Sequence, residues 1–297
     1  MASLIRMFTL EEWTVIGSEI ALSLHPILLK TIPVPLLTQL IIRLGSFSML
    51  GGLVAKKSDW LQSWGSWDAI KLSLIAGLLN LIHIGSSYTS YLNLSAGSSL
   101  AIFYIYPFLN ILAGVLFLNE KLDWYNIPLL CIAFLGVILI AYDEDRASKQ
   151  KEGFTGKNVA FGISMALIAA LTESIIFVFV KLSNHNSPFT NVLQLYPFGF
   201  ILLGLYSIWS GFKDIKGSIK QILQIVGFNC AIGFIGYSLR FYSIPRTSTI
   251  VFSLLAFIGV LSGYMWGVLF ANETPSLLSI IGSICITGSV GIHQFIK

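Results

Sequence analysis

A chain of 297 residues that is 55% hydrophobic and 11% charged, with a mean hydropathy of +0.81, carries less than half of the roughly 25% charged residues a soluble globule needs, and is excluded from that class. Its 18 basic and 14 acidic residues give a formal net charge of +4, but they crowd into short gaps between apolar stretches, which leaves no basic module for nucleic acid. Cys131, Cys230 and Cys285 all fall inside apolar stretches, so neither a disulfide framework nor a thiolate metal site is indicated.

The pattern predicts an all-α, multi-pass integral membrane protein with ten transmembrane helices, over 12–29, 35–54, 70–90, 95–118, 126–142, 158–180, 190–209, 221–239, 248–271 and 276–294. Helices are required because open strand edges would leave backbone groups unpaired in hydrocarbon, and the runs lack the alternation of a barrel. The first run follows Glu11 and Glu12 and contains His25 and Pro26 without a small-residue cleavage pattern, so it reads as a retained span. The second carries Gln39 and Arg43; between it and the third lies WLQSWGSW, whose Trp60, Trp64 and Trp67 suit a segment at headgroup depth. Asn80, His83 and Tyr88 lie in the third span. The fourth holds Ser98, Ser99, Tyr104, Tyr106 and Asn110, with Ser99, Tyr106 and Asn110 near one helical face. Residues 143–157, DEDRASKQKEGFTGK, read as a polar linker between a first half, 1–142, and a second, 158–297. Glu173 lies well inside the sixth span, Asn229, Tyr237 and Ser238 in or beside the eighth, and Gly259, Gly263 and Gly267 form a four-residue ladder in the ninth that predicts close helix packing.

The halves repeat. GVLFLNE at 114–120 returns as GVLFANE at 267–273, IGSSYTSY at 84–91 as IGYSLRFY at 235–242, and Lys30 has its counterpart in Lys181, all at nearly one offset. A duplicated unit with an odd number of spans must enter the membrane from opposite faces in its two copies, which predicts inverted five-helix repeats about a central site.

The fourth and ninth spans, SAGSSLAIFYIYPFLNILAGVLFLNE and TSTIVFSLLAFIGVLSGYMWGVLFANE, carry a further pattern. Small and hydroxyl residues open each (Ser95, Ala96, Gly97; Ser248, Thr249), a proline or small residue lies near the middle (Pro107; Val260), and a hydrophobic run closes on an acid (Glu120; Glu273). In this the chain resembles the EamA-like members of the drug/metabolite transporter superfamily, departing mildly where Asn119 and Asn272 stand in place of the family's usual glycine. The resemblance covers nearly the whole chain and implies ten helices in two repeats, both termini on the cytoplasmic side, and transport of a small metabolite. Lysines and arginines divide almost evenly between the two sides, with Arg240 and Arg246 counted among loop charges, so orientation rests on the resemblance.

These residues predict a secondary transporter of a small polar metabolite working by alternating access, proton-coupled or an exchanger, rather than an enzyme; a membrane-embedded enzyme or a non-transporting scaffold is the alternative. Neither GLVAKKS nor GFTGKN has P-loop spacing, no HxxxH or HExxH motif is present, and no cofactor is expected. The partners expected are the substrate and membrane lipid. A charge near the bilayer centre costs about 2.5–3.5 kcal/mol on insertion scales, so Glu173 should face a wet interior, where it could carry a proton, or hydrogen-bond a neighbouring helix. Arg43 could hold an anionic group or pair with Glu173, with snorkelling as the alternative. His25 or His83 could relay protons or hydrogen-bond between helices, and the tyrosines suit a cavity wall or plain packing. Lys149, Lys151 and Lys157 read as interfacial charges, and the sequons at Asn93 and Asn272 sit in junctions too tight for glycosylation.

Overall fold

The structure, a computed structural model, describes residues 8–94, 96–121, 124–152, 158–183, 187–270 and 276–296, with the side chains of Lys30, Ala96, Gly97, 144–152, Gly267 and Phe270 left aside. Ser95, Lys157, Asn272 and Glu273 lie outside the described residues, as do the side chains of Lys149, Lys151 and Gly267.

Every described element is helical. Large apolar side chains such as Met49, Leu53, Ile75, Ile208 and Leu277 point outward, while Glu12, Glu19, Arg43, His83, Glu173 and Arg240 are buried. That distribution is stable only with hydrocarbon as the surrounding solvent. Among the described residues nine helical stretches are long and apolar enough to cross a bilayer, and the chain is an integral multi-pass membrane protein.

The first expected span is not among the nine; it consists of two helices, α1 (Leu10–Leu22) and α2 (His25–Thr31). Thr9 and Glu12 form a capping box that starts α1, and Pro26 stops it: proline has no amide hydrogen, and its ring crowds the carbonyl one turn back. The second span is α3 (Leu36–Val54), followed by α4 (Lys57–Trp64), the tryptophan-rich segment. Trp60 and Trp67 are exposed. Thr190 Oγ1 donates to Asp59 Oδ1 at 3.1 Å, docking α4 on the second half. The third span is α5 (Trp67–Asn93); the fourth is α6 (Ala96–Phe103) and α7 (Tyr106–Phe117), interrupted ahead of Pro107. The fifth, α8 (Asn126–Glu152), continues through the first ten residues of the segment read as linker.

In the second half, α9 (Val159–Ser183) is the sixth span, and α10 (Pro188–Leu195) and α11 (Pro197–Trp209) share the seventh, broken by Pro197. The eighth is α12 (Ile219–Phe228), a π-helical turn at Asn229–Gly233, and α13 (Phe234–Ser243). The ninth is α14 (Thr249–Ala256) and α15 (Ile258–Phe270), and the tenth is α16 (Leu277–Ile296).

Two pairs of repeat-equivalent spans, the second with the seventh and the fifth with the tenth, pack antiparallel. Gly45 faces Phe200 and Gly51 faces Val192 across the second and seventh. Across the fifth and tenth, His293 Nδ1 lies 2.8 Å from Asn126 Oδ1 at one end, and Ser279 Oγ bonds Asp143 Oδ2 at the other. Between them the backbones touch: a Cβ on Gly136 would lie 2.5 Å from the Gly282 carbonyl oxygen, and one on Gly282 2.6 Å from that of Gly136. The fourth and ninth cross with Gly114 against Thr249 and Tyr104 against Gly259. Both of these spans are broken at their crossing, the ninth at Phe257 although Val260 replaces the proline there. Proline alone therefore does not make the break.

Candidate functional site

Arg240 of α13 is 4% exposed and lies between two carboxylates, one from the first span of each half. Its Nη1 donates to Glu19 Oε1 and its Nη2 to Glu173 Oε1. The Tyr106 and Phe252 ring centroids lie 5.5 and 5.0 Å from the guanidinium carbon, adding cation–π contact in a dry setting. The other Glu173 oxygen, Oε2, is 3.2 Å from His83 Nε2. His83 Nδ1 lies 3.1 Å from the Ala169 carbonyl oxygen, which can only accept, so Nδ1 carries a hydrogen. A neutral imidazole of that tautomer would turn a lone pair on Nε2 toward the carboxylate. The geometry therefore accommodates a proton between His83 Nε2 and Glu173, as imidazolium or as carboxylic acid.

Gly259 shapes this network. A Cβ there would overlap the Tyr104 hydroxyl and lie 2.7 Å from Glu19 Oε2, so the glycine lets both polar groups press on the backbone at the break in the ninth span. Gly263, one turn on, faces Ser23, whose Oγ accepts from Trp266 Nε1 at 3.0 Å. The described part of the ladder thus packs against the first span.

A second constellation surrounds Arg43, 3% exposed. Its Nη1 donates to the Tyr88 hydroxyl at 2.8 Å, and its guanidinium carbon lies 5.0 Å from the Tyr237 ring centroid, 5.4 Å from Tyr88 and 5.8 Å from Phe47. Tyr196 stacks on Phe47 at 4.5 Å and closes the box. Arg43 Nε has no hydrogen-bond partner, and among the described residues no carboxylate is within ion-pair distance of this guanidinium. Glu173 pairs with Arg240 and His83 instead of Arg43, and Arg43 does not snorkel. Beside the box, His25 stands edge-on to Phe228 with ring centroids 5.0 Å apart, and Nε2 of His25 and Oδ1 of Asn229 lack partners. Asn229 opens the π-turn, an element found at functional sites because it displaces one residue from the regular ladder.

Other candidates have local structural work. Asn80 Nδ2 donates to the Leu195 carbonyl at 2.9 Å, satisfying a group freed by the break at Pro197. Ser99 bonds Ser90, joining the third and fourth spans. Gln39 is buried one turn before Arg43, and Asn110 is buried with neither side-chain polar atom paired.

Sequence reasoning missed Glu19 and Arg240. Hydropathy ends the eighth span at residue 239 and leaves Arg240 in a loop, whereas α13 runs four residues further, to Ser243, and buries it. Glu19 was legible as an acid inside an apolar run, as Glu173 was. The acid and lysine at the ends of repeat elements also meet: Lys181 Nζ lies 2.7 Å from Glu120 Oε1, and Thr249 donates to Glu120 through its backbone nitrogen at 2.9 Å and its hydroxyl at 2.8 Å. Burial raises the Glu120 carboxyl, but the Lys181 ammonium and the Thr249 donors outweigh it and hold the group below its ordinary value.

The comparisons agree with this architecture. A curated protein of Bacillus subtilis (strain 168), described as "Uncharacterized transporter YxxF", is 22% identical over 231 residues, 78% of this chain and 71% of that protein. A solved structure titled "Crystal structure of protein" shares the fold with a TM-score of 0.71 at 17% identity, over 97% of this chain and 96% of that one. The model of the EamA-like transporter family matches residues 14–142 and again 160–293, one match on each side of the polar segment. The chain belongs to the EamA-like transporter family.

Proposed function

We propose that this membrane transporter is a proton-coupled secondary transporter of a small polar metabolite, operating by alternating access between residues 1–142 and 158–297 as inverted five-span repeats. The observation that carries the reading is the Glu19–Arg240–Glu173–His83 network, buried where the broken fourth and ninth spans cross and built from both halves. A buried ion network is weak evidence for stability, since apolar groups of similar volume serve as well. It suits a device that must hold and release a proton. Antiparallel packing of the second with the seventh span and of the fifth with the tenth supports two similar arrangements for the halves to exchange. The Glu120–Lys181–Thr249 contact joins the halves at one end and supports a gate there, because each group can return to water when the halves part.

The test is uptake into proteoliposomes of amino acids, sugar phosphates, nucleobases and organic acids, with and without a pH gradient. Saturable, gradient-driven flux that is lost in Glu173→Gln supports the proposal. Saturable flux indifferent to the gradient and to Glu173→Gln removes the proton coupling, and no saturable flux of any class removes the transport reading.

A further inference from the structure

The two constellations share a charge balance. Glu19, Glu173 and Arg240 sum to one negative charge; a proton between His83 and Glu173 brings them to zero, leaving Arg43 as an uncompensated buried cation. Without that proton, Arg43 itself balances the carboxylates, and it lies within electrostatic reach of both Glu173 and His83. The remaining titratable groups facing this centre are Tyr88 and Tyr91 from the third span, Tyr104 and Tyr106 from the fourth, Tyr196 from the seventh and Tyr237 from the eighth, with His25 beside Arg43. The tyrosines are neutral near pH 7, and a neutral His25 leaves the sum unchanged. An uncompensated charge in a dry interior costs several kcal/mol, so the site is neutral either with neither proton nor anion or with one of each.

Resting on the transport reading above, we propose that Arg43 binds the carboxylate of a small organic monoanion with an apolar or aromatic body, and that this anion moves with one proton held between His83 and Glu173. Arg43 Nε is a free donor in a side chain 3% exposed, as a carboxylate site requires. A phosphate dianion would need a second free cation, and Arg240 is already held by two carboxylates. The rings of Phe47, Tyr88, Tyr196 and Tyr237 supply faces for an apolar body.

The experiment is binding of four probes with one aromatic body, phenylacetate, phenylacetamide, phenethylamine and phenyl phosphate, to the purified full chain in detergent between pH 5 and 9. Phenylacetate should bind best, and on the alkaline side its affinity should fall toward tenfold per pH unit, the slope of one linked proton. Glu173→Gln should still bind it with that slope flattened, because its network is already neutral without the proton. Arg43→Gln should weaken binding roughly 10- to 100-fold, with Arg43→Lys recovering part of the loss. Tighter binding of the amide, amine or phosphate, or a phenylacetate affinity flat across the pH range, overturns the proposal, and those comparisons on the unaltered chain hold even where a variant does not fold. If none of the four binds and proteoliposomes carry an uncharged or cationic solute, the anion assignment falls while transport stands. If no solute moves and none binds, both fall.

Discussion

Replacing Arg240 by methionine removes the cation that two buried carboxylates share, and the structure sets the scale of the damage. Both guanidinium contacts are charge-assisted bonds to groups under 10% exposed. Breaking one buried pair by deleting a partner costs about 3–5 kcal/mol, since the surviving charge is left desolvated. Here two carboxylates survive, and protonation of one or both limits the loss to about that same range. For a chain of this size the drop corresponds to roughly 5–8 °C in Tm. The triple variant Arg240→Met, Glu19→Gln, Glu173→Gln removes all three charges and should recover most of the lost stability while remaining inactive in flux. The assay is thermal unfolding of each variant in matched detergent, followed by uptake in proteoliposomes. An Arg240→Met variant within about 1 kcal/mol of the parent would refute the reasoning, because a surface ion pair is worth that much. A triple variant no more stable than Arg240→Met would also refute it, showing that shape rather than charge governs the site.

Gly259→Ala should displace the Tyr104 hydroxyl and the Glu19 carboxylate, lowering flux strongly while costing about 1–3 kcal/mol of stability; a variant with parental flux would show that the network tolerates the shift. Gly136→Val should force α8 and α16 apart, with a loss of at least about 2 kcal/mol seen as a lowered melting temperature, since the obstruction is backbone and cannot rotate away. Pro107→Ala should leave the fourth span broken, as the ninth is broken without a proline, and a structure showing one continuous helix there would contradict this. Glu120 has a depressed folded-state pKa, so its contribution is fully present above the unfolded value near 4.5 and is lost as pH falls through the folded one. Glu120→Gln should therefore flatten the acid limb of the stability profile, with a modest effect at pH 7 because the side chain keeps some contact with solvent.

The membrane setting, the helices and the duplication were determined by the sequence, because hydrocarbon imposes length and apolarity on every span and a copied unit keeps its order. Glu173, Arg43 and His83 were legible for the same reason, as expensive groups in apolar runs. Their partners were not. Arg240 meets Glu173 across 67 residues of chain and Glu19 across 221, and periodicity carries no information about which face of one helix meets which face of another at such separations. The break at Phe257 was equally hidden, since it lacks the proline that marks its counterpart and coincides with a crossing where Gly259 admits Glu19 and Tyr104. Even the position of Arg240, inside a helix or beyond its end, turned on four residues of α13 that a hydropathy window cannot resolve. Only the packed bundle decided that, among the described residues, Arg43 would form no ion pair while Arg240 took two carboxylates, because pairing among buried charges depends on distances between helices and not on the composition of any one of them.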